Sequence, residues 1–389
     1  MKIAFLTEGY DPFVNGVVTS IKTLRSALER QGHEVLIFAP EYPGHGDHDP
    51  KVVRLPSVRW LKAHYPSLSP FARNLDVLAG QGFDLVHSHH PFTMGQLAHR
   101  LARKHGLPLI YTHHTMLNEY GQYVPLLESA GKHWLIRRYL RHCAQADRVT
   151  SATGVVRRFL RSQGVRTPVE VVPEGVVTMQ PADGARARLR QQLGVPDRTL
   201  LLLYAGRLAR EKRLDMLLRS VARLGRGRAL HLCLAGAGPS ERELRAAASE
   251  LGIAERVTFT GWVEHAQFAD YYAAADLFVF PSPADAMGIV LVEAMSAGLP
   301  CVAVDRYGPS EVVTDGVTGF LTEFDEQDFS EAVRWLLDNP FLRQRMSAAA
   351  RVRARDFDPD VTAARLVRVY QEALAAGERV RQIPAWRTV

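Results

Sequence analysis

Short apolar, β-branched runs alternate along the whole chain with stretches whose apolar residues recur at helical spacing. That alternation predicts an α/β fold built on parallel sheet. In the first half the strand candidates are Lys2–Leu6, Glu34–Phe38, Leu85–His87, Leu109–Thr112, Arg148–Ser151 and Val169–Val172. Between the first two, Val17, Ile21, Leu24 and Leu28 fall on one face of a helix predicted over Val17–Arg30. Gly32 offers its C-terminal stop. After Pro173-Glu174-Gly175 comes a polar stretch with Pro181 and Gly184, and the pattern restarts: Leu200–Ala205, Leu230–Ala235, Arg256–Thr260, Leu277–Phe280, Cys301–Val304 and Gly319–Leu321. Two doubly wound domains are expected, residues 1–175 and 176–357, facing each other across a cleft with ligands at the carboxyl ends of the strands. The remaining residues, 358–389, begin with a helical pattern over Asp358–Arg381 carrying Val361, Leu366, Val369 and Tyr370. This helix is expected to pack back on the first domain, ahead of the end Ile383-Pro384-Ala385-Trp386. There are no solenoid repeats or low-complexity tracts.

A length of 389 residues suits two domains, and an apolar fraction of 47% allows each a full core. Cys143, Cys233 and Cys301 show no paired spacing, which argues against a disulfide framework or zinc site and suits a reducing cytosol. Glu8 and Asp11 follow Ile-Ala-Phe-Leu at once, so the N-terminus reads as a first strand, not a secretory signal. No apolar run approaches the roughly 20 residues that cross a bilayer. The expected location is cytoplasmic, with at most attachment to the inner face of the membrane.

The net charge of +7 changes the list of partners. Lys132, Arg137, Arg138, Arg141, Arg148, Arg157, Arg158, Arg161 and Arg166 share a region whose only acid is Asp147. Such a surface fits nucleic acid, an anionic membrane, a phosphorylated substrate or simply solvent. No zinc-finger spacing, aromatic RNA-binding signature or basic region with heptads is present, so nucleic acid is not expected. Trp134, Leu135, Ile136, Tyr139 and Leu140 in the same region could dip into lipid or belong to the core.

Candidate chemistry gathers in the loops after strands. Asp285 and Glu293 stand eight positions apart in Pro281–Pro300. A helix opening near Gly288 or Ile289 places its backbone N–H groups and positive end between them, including those of Gly288, Ile289 and Val290, which suits a phosphorylated ligand. After Leu200–Ala205, Arg207 and Lys212 flank a strand-to-helix turn. Two permanent cations at the positive end of a helix accumulate like charge, so a bound anion is expected between them, with solvated side chains as the other reading. Asn15-Gly16 follows the first strand. It is either a diphosphate-approaching turn or a plain cap, and G-x-G-x-x-G is absent. The histidines of Val86–Phe92 and Tyr111–His114 have no acid or Cys ligand set to complete a metal site, and no Asp-x-Asp pair lies in a suitable loop. A histidine at a strand end suits positioning a substrate oxygen. Leu234–Pro239 reads as nucleotide contact or tight strand–helix packing, and Asp276 as structural.

Several of these segments resemble retaining glycosyltransferases of family 4. Pro281–Pro300 resembles their acid-x7-acid donor-sugar motif, with Asp285 in place of the usual Glu. Gly206-Arg207-Leu208 with Lys212 is similar to the family's Gly-Arg-Leu-x-x-x-Lys, and Asn15-Gly16-Val17 to its Asn-Gly-Val turn. Thr112-His113-His114-Thr115-Met116-Leu117-Asn118-Glu119-Tyr120 resembles Tyr-His-Thr-Met-Tyr-Glu-x-Tyr of the branch that glycosylates diacylglycerol, and His87–Gly95 its His-Ser-His-x-Pro-Phe. By that match His114 takes the place of the active-site histidine and His113 replaces an aromatic residue.

The resemblance covers nearly the whole chain and implies the two-Rossmann GT-B architecture. It further implies transfer of a hexose from a nucleoside diphosphate sugar, UDP favoured, to a hydroxyl, with no cofactor and no metal. The donor would meet Gly16, Arg207, Lys212, Val263, Gly288, Ile289 and Val290, with Glu293 on the ribose and Asp285 on the transferred sugar. Asp285 is one methylene short for that contact, so another sugar epimer, a water bridge or a lost contact all stay open. A lipid acceptor such as diacylglycerol is favoured, and a soluble sugar or polysaccharide comes next. A nucleotide-sugar epimerase or a non-catalytic sugar-nucleotide-binding protein are the competing classes.

Overall fold

The computed structural model describes the chain apart from residues 14, 48, 59–65, 70, 71, 73, 74, 115–127, 226 and 383–389, and apart from the side chains of 128–133, 135 and 378–382. Its contacts divide it into two domains: Met1–Gly175 with the segment from Pro359 onward, and Val176–Asp358.

In the first domain the strands are β1 (Lys2–Leu6), β2 (Glu34–Pro40), β3 (Val52–Leu55), a two-residue hairpin pair β4 (Ser57–Val58) and β5 (Ser67–Leu68), then β6 (Leu85–Ser88), β7 (Leu109–His113), β8 (Arg148–Ser151) and β9 (Val169–Val171). Seven of them form a sheet in the order β3-β2-β1-β6-β7-β8-β9, all neighbours parallel. The sequence gives no alternation for β3. It is an edge strand with three of its four residues only half-buried, so no strong apolar signal is required of it. Helices α1 (Gly16–Arg30), α2 (Thr93–His105), α3 (Glu128–Gln145) and α4 (Gly154–Ser162) connect the strands. Asn15 caps α1, its side chain accepting the Val18 N–H at 3.0 Å.

The terminal helix, Pro359–Gln382, belongs to this domain. Ala363, Leu366, Val369, Tyr370 and Ala373 share a buried cluster with Ile3, Phe5, Ile21 and Leu28. Each of the larger side chains contributes about 1.5–3 kcal/mol by leaving water. Val361, expected on that apolar face, is 42% exposed. It lies in the first turn, where the helix still presents Asp360 to Arg30 at 2.7 Å. Ile383–Trp386 lie outside the described residues.

The second domain carries β10 (Leu200–Ala205), β11 (Leu230–Ala235), β12 (Val257–Phe259), β13 (Leu277–Phe280), β14 (Cys301–Val304) and β15 (Gly319–Thr322). They form a parallel sheet ordered β12-β11-β10-β13-β14-β15. Around it lie α5 (Ala185–Gln192), α6 (Leu214–Arg223), α7 (Glu241–Glu250), α8 (Phe268–Ala274), α9 (Ile289–Ser296), α10 (Pro309–Val312), α11 (Glu326–Asp338) and α12 (Pro340–Ala354). Central β10 is buried on both faces and so reads as one unbroken apolar run.

Both sheets reverse strand order once, between β1 and β6 and between β10 and β13. Loops leaving adjacent strands there diverge to opposite faces and leave a crevice at the carboxyl ends, where ligands bind in folds of this kind. The unusual residues of the sequence fall at these two places.

Candidate functional site

In the second domain, β10 delivers Arg207 and a short 3₁₀ turn, Arg210–Lys212, delivers Lys212. From the other side of the switch point, the loop after β13 delivers Asp285. Lys212 Nζ donates to both carboxylate oxygens of Asp285, at 2.7 and 2.9 Å. Ser282, fully buried, donates its hydroxyl to the same carboxylate. Arg207 is hydrogen-bonded to Glu211, whose side chain is 2% exposed. Neither expected reading, a bound anion between the two cations or solvated side chains, included these pairs. Glu211 comes round on the 3₁₀ turn and Asp285 comes from another strand, so the protein supplies the counter-charges itself. Asp276 is structural, as expected: it accepts from the Leu201 N–H at 2.8 Å and pairs with Arg186 and Arg190.

Helix α9 begins where the spacing predicts. Gly288 precedes it with φ +84°, a left-handed conformation that disfavours a side chain. No side chain caps this end, and the Leu291 N–H turns back to the Gly288 carbonyl at 2.9 Å, which leaves the amides of Ile289 and Val290 at the mouth of the helix. Glu293 sits among Leu291, Val292, Ala294 and Met295, and is itself only 5% exposed. Such a carboxylate needs partners. Tyr272 donates to Oε2 at 2.7 Å and His265 Nε2 lies 3.1 Å from Oε1. The carboxylate raises the pKa of His265, while burial and the same carboxylate push the Tyr272 phenol up. A cavity of about 200 Å³ borders Glu293, lined also by Thr178, Gln180, Tyr272 and Ser296. It runs toward the C-terminal end of α9, away from Gly288.

Val263 is buried, while Trp262 beside it is 62% exposed. For Leu234–Pro239 the structure favours packing. A Cβ on Gly236 would lie 2.1 Å from the Gly206 oxygen, and one on Gly238 2.2 Å from the Leu208 oxygen.

In the first domain the histidines lie at the carboxyl ends of β6 and β7. His114 Nδ1 is 2.9 Å from Glu174 Oε1, and its Nε2 is 3.0 Å from His89 Nδ1. A carboxylate only accepts, so Nδ1 of His114 carries a proton. His87 bonds Tyr370 of the terminal helix and Thr112, both at 2.7 Å. Burial lowers the pKa of His87, His90 and His113 to about 3, with the nearby His114 adding to the shift. Burial also holds His89 well below the usual histidine range. His113 packs as an aromatic ring against Tyr139 at 5.2 Å and Tyr111 at 6.3 Å, with neither nitrogen hydrogen-bonded among the described residues. Gly16 opens α1 and is exposed. Asn15 caps that helix through the Val18 N–H. Thr115–Tyr120 of the histidine motif lie outside the described residues.

The basic segment divides. Tyr139 is core at 1% exposure, whereas Trp134 is 58% exposed and Arg137, Arg141, Arg157, Arg158, Arg161 and Arg166 are all exposed. Sequence reasoning missed Glu174, Glu211, Ser282, His265 and Tyr272. Glu211 carried a signal, four residues after Arg207 and beside Lys212. Ser282 lies three residues before Asp285 on the same loop, while Glu174, His265 and Tyr272 reach their partners from separate elements.

Among the described residues no three His, Cys, Asp or Glu side chains converge as a metal set, and no helix is long and apolar enough to cross a membrane. The three cysteines are free and buried.

Two parallel-sheet domains, each with polar chemistry at its switch point, define a GT-B transferase architecture. Comparison with known proteins gives the same class. Residues 14–180 match the family described as Glycosyltransferase Family 4, and residues 185–353 match Glycosyl transferases group 1. An alpha-monoglucosyldiacylglycerol synthase of Streptococcus pneumoniae is 29% identical over 86% of this chain and 77% of its own. A GDP-mannose-dependent alpha-mannosyltransferase of Mycobacterium tuberculosis is 30% identical over 90% and 91%. Sucrose-phosphate synthase from Thermosynechococcus elongatus superposes with a TM-score of 0.80 over 96% of this chain and 99% of its own, at 22% identity. Anabaena HepE, in its complex with UDP-glucose, gives 0.77 over 96% and 100%, at 20% identity. The chain belongs to the group 1 glycosyl transferases, of the family 4 type.

Proposed function

We propose that this glycosyltransferase moves a hexose from a nucleoside diphosphate sugar, UDP-linked in preference, to a hydroxyl of a membrane lipid such as diacylglycerol, with retention at the anomeric carbon and without a metal. One observation carries the donor half: Lys212 and Asp285 meet ahead of the uncapped N-terminus of α9, with Arg207 on the adjoining loop and Glu293 within the helix. A departing diphosphate needs preorganised positive charge, and Arg207, Lys212 and the α9 amides supply it. The diphosphate would take Lys212 over from Asp285. The freed carboxylate would then accept from a sugar hydroxyl, within reach of a shorter arm than the usual Glu. Glu293 would accept from the ribose hydroxyls, held in place by Tyr272 and His265. In the first domain His114 would orient the sugar, its tautomer fixed by Glu174.

The UDP preference is supported by the solved complex of HepE with UDP-glucose, and the lipid acceptor by the name of the pneumococcal relative. Exposed Trp134 among arginines is the side-chain set of a surface that rests on anionic headgroups. The test is a thermal-shift panel of UDP-, GDP- and ADP-sugars, followed by transfer from the stabilising donor to diacylglycerol in mixed micelles. Stabilisation by a UDP-hexose and a glycolipid product are expected. Stabilisation by GDP-mannose alone would overturn the donor, and no product without a soluble acceptor would overturn the lipid.

A further inference from the structure

Four buried rings stand in a row inside the second domain. Tyr204 near the end of β10 is followed by Phe280 and Phe278 of β13 and by Tyr272 of α8, with centroids 6.3, 6.2 and 5.9 Å apart in turn. None of the four is more than 2% exposed. Rings at such spacings attract one another, and close packing leaves them little room to shift.

The row ends in a phenol on each side, and each phenol holds a residue assigned above to the nucleotide. Tyr272 donates to the Glu293 carboxylate at 2.7 Å. At the other end Tyr204 donates its hydroxyl to the Arg207 carbonyl at 3.1 Å. Burial pushes the Tyr204 phenol up, so it keeps its proton and remains a donor among the charges of Lys212, Asp285, Glu211 and Arg207. The turn above it is shaped to admit it. Gly206 has φ +141°, and a Cβ there would stand 3.1 Å from the Tyr204 hydroxyl oxygen. Arg207 is therefore held twice, by its guanidinium on Glu211 and by its carbonyl on Tyr204. The second ring bears on the mouth of α9: a Cβ on Gly288 would lie 3.5 Å from Phe280 Cε1.

We propose that Tyr204 is a positioning residue for the nucleotide diphosphate. Fully buried, it touches no ligand and acts through Arg207, whose carbonyl it pins above the aromatic row. The row in turn sets the span between Arg207 and Glu293. A displacement of about 1 Å is enough to spoil such contacts, and side chains locked by packing and hydrogen bonds prevent it. This role rests on the donor reading above.

The test titrates UDP and GDP by calorimetry into the full chain, its Tyr204→Phe and Phe280→Leu variants, and a Ser330→Ala control. Ser330, itself buried, donates to the Ser220 carbonyl at 2.6 Å, between α11 and α6, so S330A loses a bond of the same kind in the same domain. Y204F should bind the preferred nucleotide about tenfold more weakly than the wild type, the worth of one hydrogen bond. S330A should bind it as tightly as the wild type, although the urea midpoints of both variants fall. F280L keeps the phenol but removes the ring beside it, and should weaken binding about threefold, the lower worth of an aromatic pair. It decides the outcome if Y204F lacks a cooperative urea transition. Wild-type affinity in both Y204F and F280L overturns the proposal and leaves the donor reading standing. An equal loss of affinity in S330A also overturns it, since the effect would then be one of stability alone. If neither nucleotide binds the wild type, the donor reading falls and the role of Tyr204 with it.

Discussion

The two domains share one strand topology around their switch points but place opposite kinds of polar chemistry there. The first gathers imidazoles that burial keeps neutral, held by hydroxyls and by each other, with a single carboxylate, Glu174, at His114. The second gathers permanent charges already matched in pairs, Lys212 with Asp285 and Arg207 with Glu211. Neutral rings can be buried and fixed without a counter-ion, which suits holding and orienting a sugar or hydroxyl. Paired ions keep their charge ready for a ligand that brings more of the same kind, which suits a diphosphate. The contrast is that of a polarising surface and an exchangeable one.

The largest effect expected from this contrast is acid lability confined to the first domain. His87, His90 and His113 are held at about 3 and His142 at about 4, against about 6.5 in the unfolded chain. The unfolded state therefore binds more protons below pH 6.5. The stability tied to each neutral ring is full above 6.5 and is lost as pH falls, by about 1.4 kcal/mol per unit per histidine. By pH 5 the sum is of the order of several kcal/mol, comparable with the stability of a domain. In the second domain His231 is lowered and His265 raised, so their contributions oppose. Limited proteolysis mapped at pH 7, 6 and 5 should show cleavage spreading through residues 1–175 first. Unchanged protection there at pH 5 would mean the imidazoles are not buried neutral.

Next in size, Lys212→Ala should cost about 2–4 kcal/mol of transition-state stabilisation, read as kcat/KM with the best donor. Because K212A also strands a half-buried Asp285, the double variant with Asp285→Asn separates lost catalysis from lost folding. Asp285→Glu should shift the preference between epimeric donors by about 1–3 kcal/mol, the range one methylene gives in a fitted pocket. An unchanged profile would place Asp285 outside the sugar pocket. Glu174→Gln should lower kcat about tenfold with donor KM unchanged, the loss of one charge-assisted hydrogen bond of roughly 1.5 kcal/mol. It should also move the pH profile, which a merely structural role would not do.

The smallest effect concerns His265, about half exposed beside Glu293. Its folded pKa lies above 6.5, so its contribution is full below 6.5 and fades as pH rises through the folded value. Solvent screening keeps it under about 1 kcal/mol. The urea midpoint should drift down between pH 6 and 8, and the drift should vanish in His265→Gln.

Most strands were legible because their apolar runs are buried on both faces, as in Leu200–Ala205, and nothing competes with that signal. Edge strand Val52–Leu55 was not, since a half-exposed strand needs no such run. At the site, residues that act through their own loop could be read: Arg207 and Lys212 after β10, Gly288 at the mouth of α9. Their partners could not. Asp285 as the mate of Lys212 lies 73 positions away, and Glu174 reaches His114 across 60. Spacing shows where charge is placed, but only the folded sheet shows what already neutralises it. The folded structure adds Asp285 and Glu211 as partners of the two cations, which the spacing alone did not show.

Calorimetric titration of UDP and GDP into the wild-type chain and into K212A tests most directly whether Lys212 exchanges Asp285 for a diphosphate. At least one nucleotide should bind the wild type, with affinity falling about a hundredfold in K212A, near 2.7 kcal/mol. Equal dissociation constants for the two proteins would contradict it.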